Sequence, residues 1–103
     1  MGLLSFLFKR QPLRIEDFIK RNAVILDVRT KREWDEAHLS QAIHIPLDEL
    51  KHNIDNLKKL NKPIIAHCKS GVRSAKAVKI LKLYGMEAVN GGGILELKQV
   101  VEP

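Results

Sequence analysis

The chain has 103 residues, 45% of them apolar and 29% charged, enough for one small globular domain and not for two. Its single cysteine excludes an internal disulfide and any zinc site built on two or more thiolates. A net charge of +6 favours anionic partners, but five aromatic residues with no basic run among them argue against base stacking, so no nucleic-acid partner is expected.

Residues 1–12 read as an apolar N-terminal segment, and residues 13–103 as the domain. Met1 to Phe8 carries Leu3, Leu4, Phe6, Leu7 and Phe8. It is too short to cross a bilayer. It also lacks the preceding basic region and small-residue cleavage site of a signal peptide. Two readings stand: a segment packed on the domain, or a weak membrane or partner anchor helped by Lys9, Arg10 and Arg14. A free thiol fits a reducing compartment, so a cytoplasmic location is expected.

Leu13 to Arg21 predicts a short helix with Ile15, Phe18 and Ile19 on one face. Ala23 to Leu26 is a brief apolar run of the kind a buried parallel strand shows. The polar loop Asp27-Val28-Arg29-Thr30 follows, then a short helix from Thr30 to Ala37 carrying Trp34. Ala42 to Ile45 predicts a second strand, closed by Pro46. Leu47 to Leu60 predicts a helix with Leu50, Ile54 and Leu57 inward. Pro63 to His67 predicts a third strand and Ser74 to Tyr84 a long helix, with Gly85 as its C′ residue. Glu87 to Val89 predicts a last strand. Gly91-Gly92-Gly93 then turns the chain into a helix from Ile94 to Val101.

Strands alternating with helices define an α/β fold with a mostly parallel sheet flanked by helices. Ligands of such sheets bind beyond the strand C-termini. Two polar loops fall there, Asp27 to Thr30 and Cys68 to Ser74.

The second loop carries the chemistry. Cys68 stands between a buried strand and a helix N-terminus, where unpaired N–H groups and the helix dipole favour a thiolate. Gly71 permits a left-handed turn whose amides converge on an anion. Arg73 offers a forked cation, Lys69 adds charge at the rim, and Ser74 is placed to cap the helix. Lys76, Lys79 and Lys82 read as a solvated helix face. An inert core cysteine would not need a glycine, an arginine and a serine within six residues. His67 could be taken as a general base. It directly precedes Cys68, so the two side chains point to opposite faces, which fits a structural histidine better.

Three segments, in order, resemble the signatures of the single-domain rhodaneses, which are sulfurtransferases. They are Leu26 to Trp34 (LDVRTKREW), Glu36 to Leu47 (EAHLSQAIHIPL) and Cys68 to Ser74 (CKSGVRS). The resemblance runs from about Leu13 to Lys98. It implies that Cys68 attacks the outer sulfur of an anionic donor such as thiosulfate. The resulting persulfide is then passed to cyanide or a thiol, including a thiol on an acceptor protein. It implies no metal or organic cofactor. It assigns Lys69, Ser70, Gly71, Val72, Arg73 and Ser74 to substrate and persulfide binding. Asp27, Arg29, Glu33 and His38 become loop supports, with direct substrate contact by Arg29 as a lesser reading. The chain departs from the family at Ala37 and Gln41, where glycine is usual, and near Leu97, where tryptophan is frequent.

Two rivals share this fold. Tyrosine phosphatases and arsenate reductases use the same cysteine and arginine, but the phosphatases place one residue more between them. Here four intervene, a tighter loop that suits one added sulfur atom. A non-catalytic docking module would not need Cys68 in an intact loop. A persulfide carrier for a partner protein would use the same cysteine.

Overall fold

The computed structural model describes residues 14–102. The N-terminal segment, with its packing or anchoring role, lies outside the described residues. Four strands form one sheet: β1 (Val24–Asp27), β2 (Ile43–His44), β3 (Ile64–Cys68) and β4 (Ala88–Gly93). Their order is β2-β1-β3-β4, and every pairing is parallel. The α/β reading holds, and all four strand C-termini meet at one edge.

Strand alternation divides the core in two. Leu26, Ile64 and Ala66 face one side, against Leu50, Ile54, Leu57, Ala77 and Leu81. Those residues come from a 3-10 segment (Leu47–Asn53), α3 (Ile54–Leu60) and α4 (Val72–Leu83). Ile25 and Ile65 face the other side, against Phe18, Leu39 and Leu97. Phe18 belongs to α1 (residues 14–20) and Leu97 to α5 (Ile94–Val101). Ile15 and Ile19 pack beside Phe18, on the face the helical spacing predicts.

The expected helix from Leu47 to Leu60 is two pieces. Asn53 Nδ2 donates to the Glu49 carbonyl at 2.9 Å, and a side chain that binds its own backbone competes with the α-helical ladder. Leu50, Ile54 and Leu57 are nonetheless all buried. The glycine run differs more. Gly91, Gly92 and Gly93 are part of β4, and the pairing steps from Ala66–Asn90 to His67–Gly92, leaving Gly91 as an extra residue. A bulge of this kind re-aims the strand end. A Cβ on Gly91 would lie 2.7 Å from Ile65 Cγ2, so the close approach itself requires glycine.

Candidate active site

β3 ends on Cys68 and α4 (Val72–Leu83) begins four residues later, one residue past the expected strand end and two before the expected helix start. Gly71, at φ +99°, is the N-cap residue and makes the reversal. Ser74 is therefore not the cap. It lies in the first turn of α4, buried, with its hydroxyl 3.4 Å from Cys68 Sγ. The Gly71 amide donates to the same sulfur at 3.0 Å. Burial pushes the Cys68 thiol up. The Ser74 hydroxyl and the amides of Ser74, Ser70 and Gly71 push it down further, and the net position is about 7. Cys68 itself is 0% exposed, at the floor of the turn, while Lys69, Ser70 and Val72 stand exposed at its rim.

Asn90, which no motif in the sequence singles out, ties this turn to β4. Its Oδ1 accepts from the Ser74 hydroxyl at 2.7 Å and from the Gly92 amide at 2.9 Å. Its Nδ2 donates to the Gly71 carbonyl at 3.0 Å. The only sequence signal is an asparagine directly before a glycine run. Its role depends on a partner 16 positions away.

The Asp27 to Thr30 loop lies beside the turn. Asp27 and His67 are lateral partners on β1 and β3, so both side chains share one face. The Asp27 carboxylate takes the Arg29 amide at 2.9 Å and its guanidinium at 2.8 Å, inside the protein. Arg29 also donates to the Ala37 carbonyl at 2.7 Å, which fixes the chain leaving α2 (Lys31–Glu36). Ala37 has φ −170°, an extended conformation open to any residue, so the departure from glycine costs nothing there. His67 Nε2 is 3.7 Å from Asp27 Oδ2 and has no hydrogen-bond partner. Burial lowers the His67 pKa, against the pull of Asp27, and keeps the ring neutral. It faces away from the thiol, as a structural residue does.

Thr30 caps α2 through a reciprocal box with Glu33. Glu33 also receives the Arg73 fork at 2.6 and 2.9 Å. That fork, expected to meet a donor, is directed at α2. The Arg73 contact holds the Glu33 carboxyl at about 2. Trp34 lies in a stack with His38 at 3.6 Å and His44 at 4.9 Å between ring centres. His38 Nδ1 binds the Trp34 carbonyl at 2.9 Å, at the end of α2 rather than at the turn. Among the described residues no group of His, Cys, Asp and Glu converges to hold a metal, and no helix is long and apolar enough to cross a membrane.

A parallel α/β sheet with a hydrogen-bonded thiol at the C-terminal end of a central strand defines a class of cysteine-loop proteins. The family model described as the rhodanese-like domain matches residues 12–98, and the chain belongs to that family. A rhodanese-related protein from Thermoplasma volcanium is 31% identical with a TM-score of 0.71, covering 86% of this chain and 88% of that one. The thiosulfate sulfurtransferase GlpE of Coxiella burnetii is 30% identical over 70 residues, 68% of this chain and 64% of that protein. The putative sulfur carrier protein YrkF of Bacillus subtilis is 38% identical over 65 residues, 63% of this chain. The chain spans 51% and 35% of the length of two Bacillus subtilis relatives it matches. Leu97, in the region where the resemblance leads a tryptophan to be expected, is buried in the second core.

Proposed function

We propose that the chain is a sulfurtransferase that carries sulfane sulfur as a persulfide on Cys68. The observation that carries this reading is the Gly71 amide donating to Sγ at 3.0 Å, with the Ser74 hydroxyl, whose single proton is shared with Asn90 Oδ1, 3.4 Å from the same sulfur. A thiol held at about 7 is about half thiolate at neutral pH, the nucleophilic form that sulfur loading needs. The thiolate attacks the outer sulfur of an anionic donor such as thiosulfate. The donor's sulfur–sulfur bond breaks and sulfite leaves with its electron pair. Cyanide or a thiol then takes the outer sulfur from Cys68.

In this reading Lys69 and the turn amides receive the donor. Arg73 holds the turn through Glu33, and Asp27, Arg29 and His38 support the neighbouring segment. The four-residue spacing from Cys68 to Arg73, with the arginine fork engaged by a carboxylate, disfavours a phosphate cradle. The relative named as a putative sulfur carrier favours a second version, in which the acceptor is a protein thiol.

Intact mass after incubation with thiosulfate tests the reading. The expected result is one added sulfur, about 32 daltons, absent in Cys68→Ser and removed by cyanide. No mass gain, together with hydrolysis of an aryl phosphate, would overturn it in favour of the phosphatase.

A further inference from the structure

The end of the sheet opposite Cys68 carries a surface that core packing does not explain. β3 starts there at Ile64, and α3 and α4 both end there. A cavity of about 330 Å³ joins the two helix ends, and its lining includes Lys58, Lys62 and Tyr84. α4 buries Ala77, Val78 and Leu81, and Leu83 falls off that stripe. It is 84% exposed, with Tyr84 at 44% beside it and Leu60 at 45% at the end of α3. A single exposed leucine is ordinary, but three large apolar side chains grouped at one pole are not.

The charges around them have one sign. Lys58, Lys59, Lys62 and Lys82 are exposed and form no ion pair among the described residues. Among those residues the cavity's one carboxylate, Glu87, is taken by the Arg21 fork at 2.8 and 2.7 Å. Lysines in a last turn complement the helix dipole, which accounts for Lys58, Lys59 and Lys82. It does not account for Lys62, beyond α3, or for the leucines. The start of the chain bears on the same pole. Arg14, the first described residue, lines a second cavity with Lys82, and its charge acts on Glu87. Residues 1–13 include Leu3, Leu4, Phe6, Leu7 and Phe8, followed by Lys9 and Arg10. An apolar and basic segment therefore joins the domain beside an apolar and basic surface.

We propose that this pole is a docking surface for an anionic lipid bilayer, with Leu60, Leu83 and Tyr84 in the headgroup layer and the lysines against lipid phosphates. A weak apolar anchor holds a protein at a membrane only with a second signal, and a basic patch is one such signal. Tyrosine suits that depth, because its ring is apolar and its hydroxyl polar. A protein partner needs a fitted patch. A bilayer asks only that apolar tips project with cations around them, which is the arrangement at these helix ends. Docked this way, Cys68, at the far end of β3, faces away from the lipid.

The test is flotation of the full chain with vesicles of phosphatidylcholine alone and of phosphatidylcholine mixed equally with phosphatidylglycerol. The native chain should float with the anionic vesicles and not with the neutral ones, and salt should weaken the binding. Lys58→Gln with Lys62→Gln should weaken it about thirtyfold, and Leu83→Gln about fivefold. Lys31→Gln with Lys51→Gln, on α2 and the 3-10 segment away from the pole, should do much less. All five side chains are exposed, so the variants fold, and an unchanged melting temperature verifies this. Equal losses for the two lysine pairs would mean diffuse charge attraction. No loss in any variant would leave residues 1–13 as the sole anchor. Either result overturns the surface. Absence of binding to anionic vesicles also overturns it, and capture by polyglutamate in their place would assign the pole to an acidic protein. None of these outcomes touches the sulfurtransferase reading.

Discussion

Arg73 and Glu33, forty positions apart, meet in a two-point ion pair at 2.6 and 2.9 Å that binds the start of α4 to the start of α2. Each partner is only partly exposed, and the geometry is the fork-on-carboxylate arrangement that gives arginine its advantage over lysine. Glu33→Gln keeps the shape and removes the charge. The expected cost is about 1 kcal/mol, or roughly 4–8 °C in melting temperature for a domain this size. Sulfur loading should fall several-fold. An unchanged melting temperature and loading rate would show that the pair holds nothing.

The thiol gives a second prediction. Alkylation of Cys68 by a small reagent should rise with pH around a midpoint of about 7. Ser74→Ala removes the hydroxyl that most lowers this thiol. The midpoint should then move up toward the ordinary value of about 8.5. A native midpoint already at that value, or one insensitive to Ser74→Ala, would refute the role given to the hydroxyl.

Asp27 and Arg29 form a buried pair, so removing one partner strands the other. Asp27→Ala should cost about 3–5 kcal/mol, a large share of a small domain's stability. The double variant Asp27→Leu, Arg29→Met should be less damaged than Asp27→Ala, because it leaves no unpaired charge. Urea unfolding of both variants measures this. A double variant worse than the single one would mean that Arg29 contributes chiefly through the Ala37 carbonyl.

Acid should weaken the fold in two windows. His67 has its pKa lowered by burial, so the unfolded chain binds a proton that the folded chain refuses. Stability is therefore lost as pH drops below the unfolded value of about 6.5. Glu33 has its carboxyl held at about 2, so its contribution is present above the unfolded value of about 4.3 and is lost as pH falls toward 2. Urea midpoints at pH 7.5 and 5.5 read the first window. His67→Asn should flatten that difference, and an undiminished slope would assign it to another group.

The glycine strand allows a paired comparison. A Cβ on Gly93 would collide with the carbonyl oxygen of Lys69, the residue after the thiol. One on Gly92 would meet open space, leaving only the strain of φ +83°, about 1–2 kcal/mol. Gly93→Ala should cut sulfur loading far more than Gly92→Ala. Equal losses would mean that the turn tolerates displacement at Lys69.

The alternation of short apolar runs with amphipathic stretches made the parallel sheet legible. α5 (Ile94–Val101) falls where the spacing predicts it, since its periodicity is local. The role of Ser74 was not legible from its neighbours. A serine at a helix start satisfies the capping pattern, and only Asn90, on β4 just before the bulge at Gly91, shows why the hydroxyl turns inward. The glycine run misled for a related reason. Three glycines predict a turn by conformational freedom, whereas here Gly91 and Gly93 answer to crowding by Ile65 and Lys69 on the adjoining strand and loop. Arg73 was legible as a fork but not as Glu33's partner, because that pairing depends on how α2 and α4 are set side by side.

The depth of the Cys68 sulfur divides the working cycle into two faces. At 0% exposure the resting thiolate is sheltered by its own turn, and a bulky reagent meets the rim before it meets sulfur. An added sulfur stands about 2 Å further out along the new bond. In the proposed cycle the empty protein is selected by what can reach in, and the filled one by what it holds out. In that cycle donor and acceptor meet different faces of the site, and bulky electrophiles reach sulfur chiefly while the cargo is aboard.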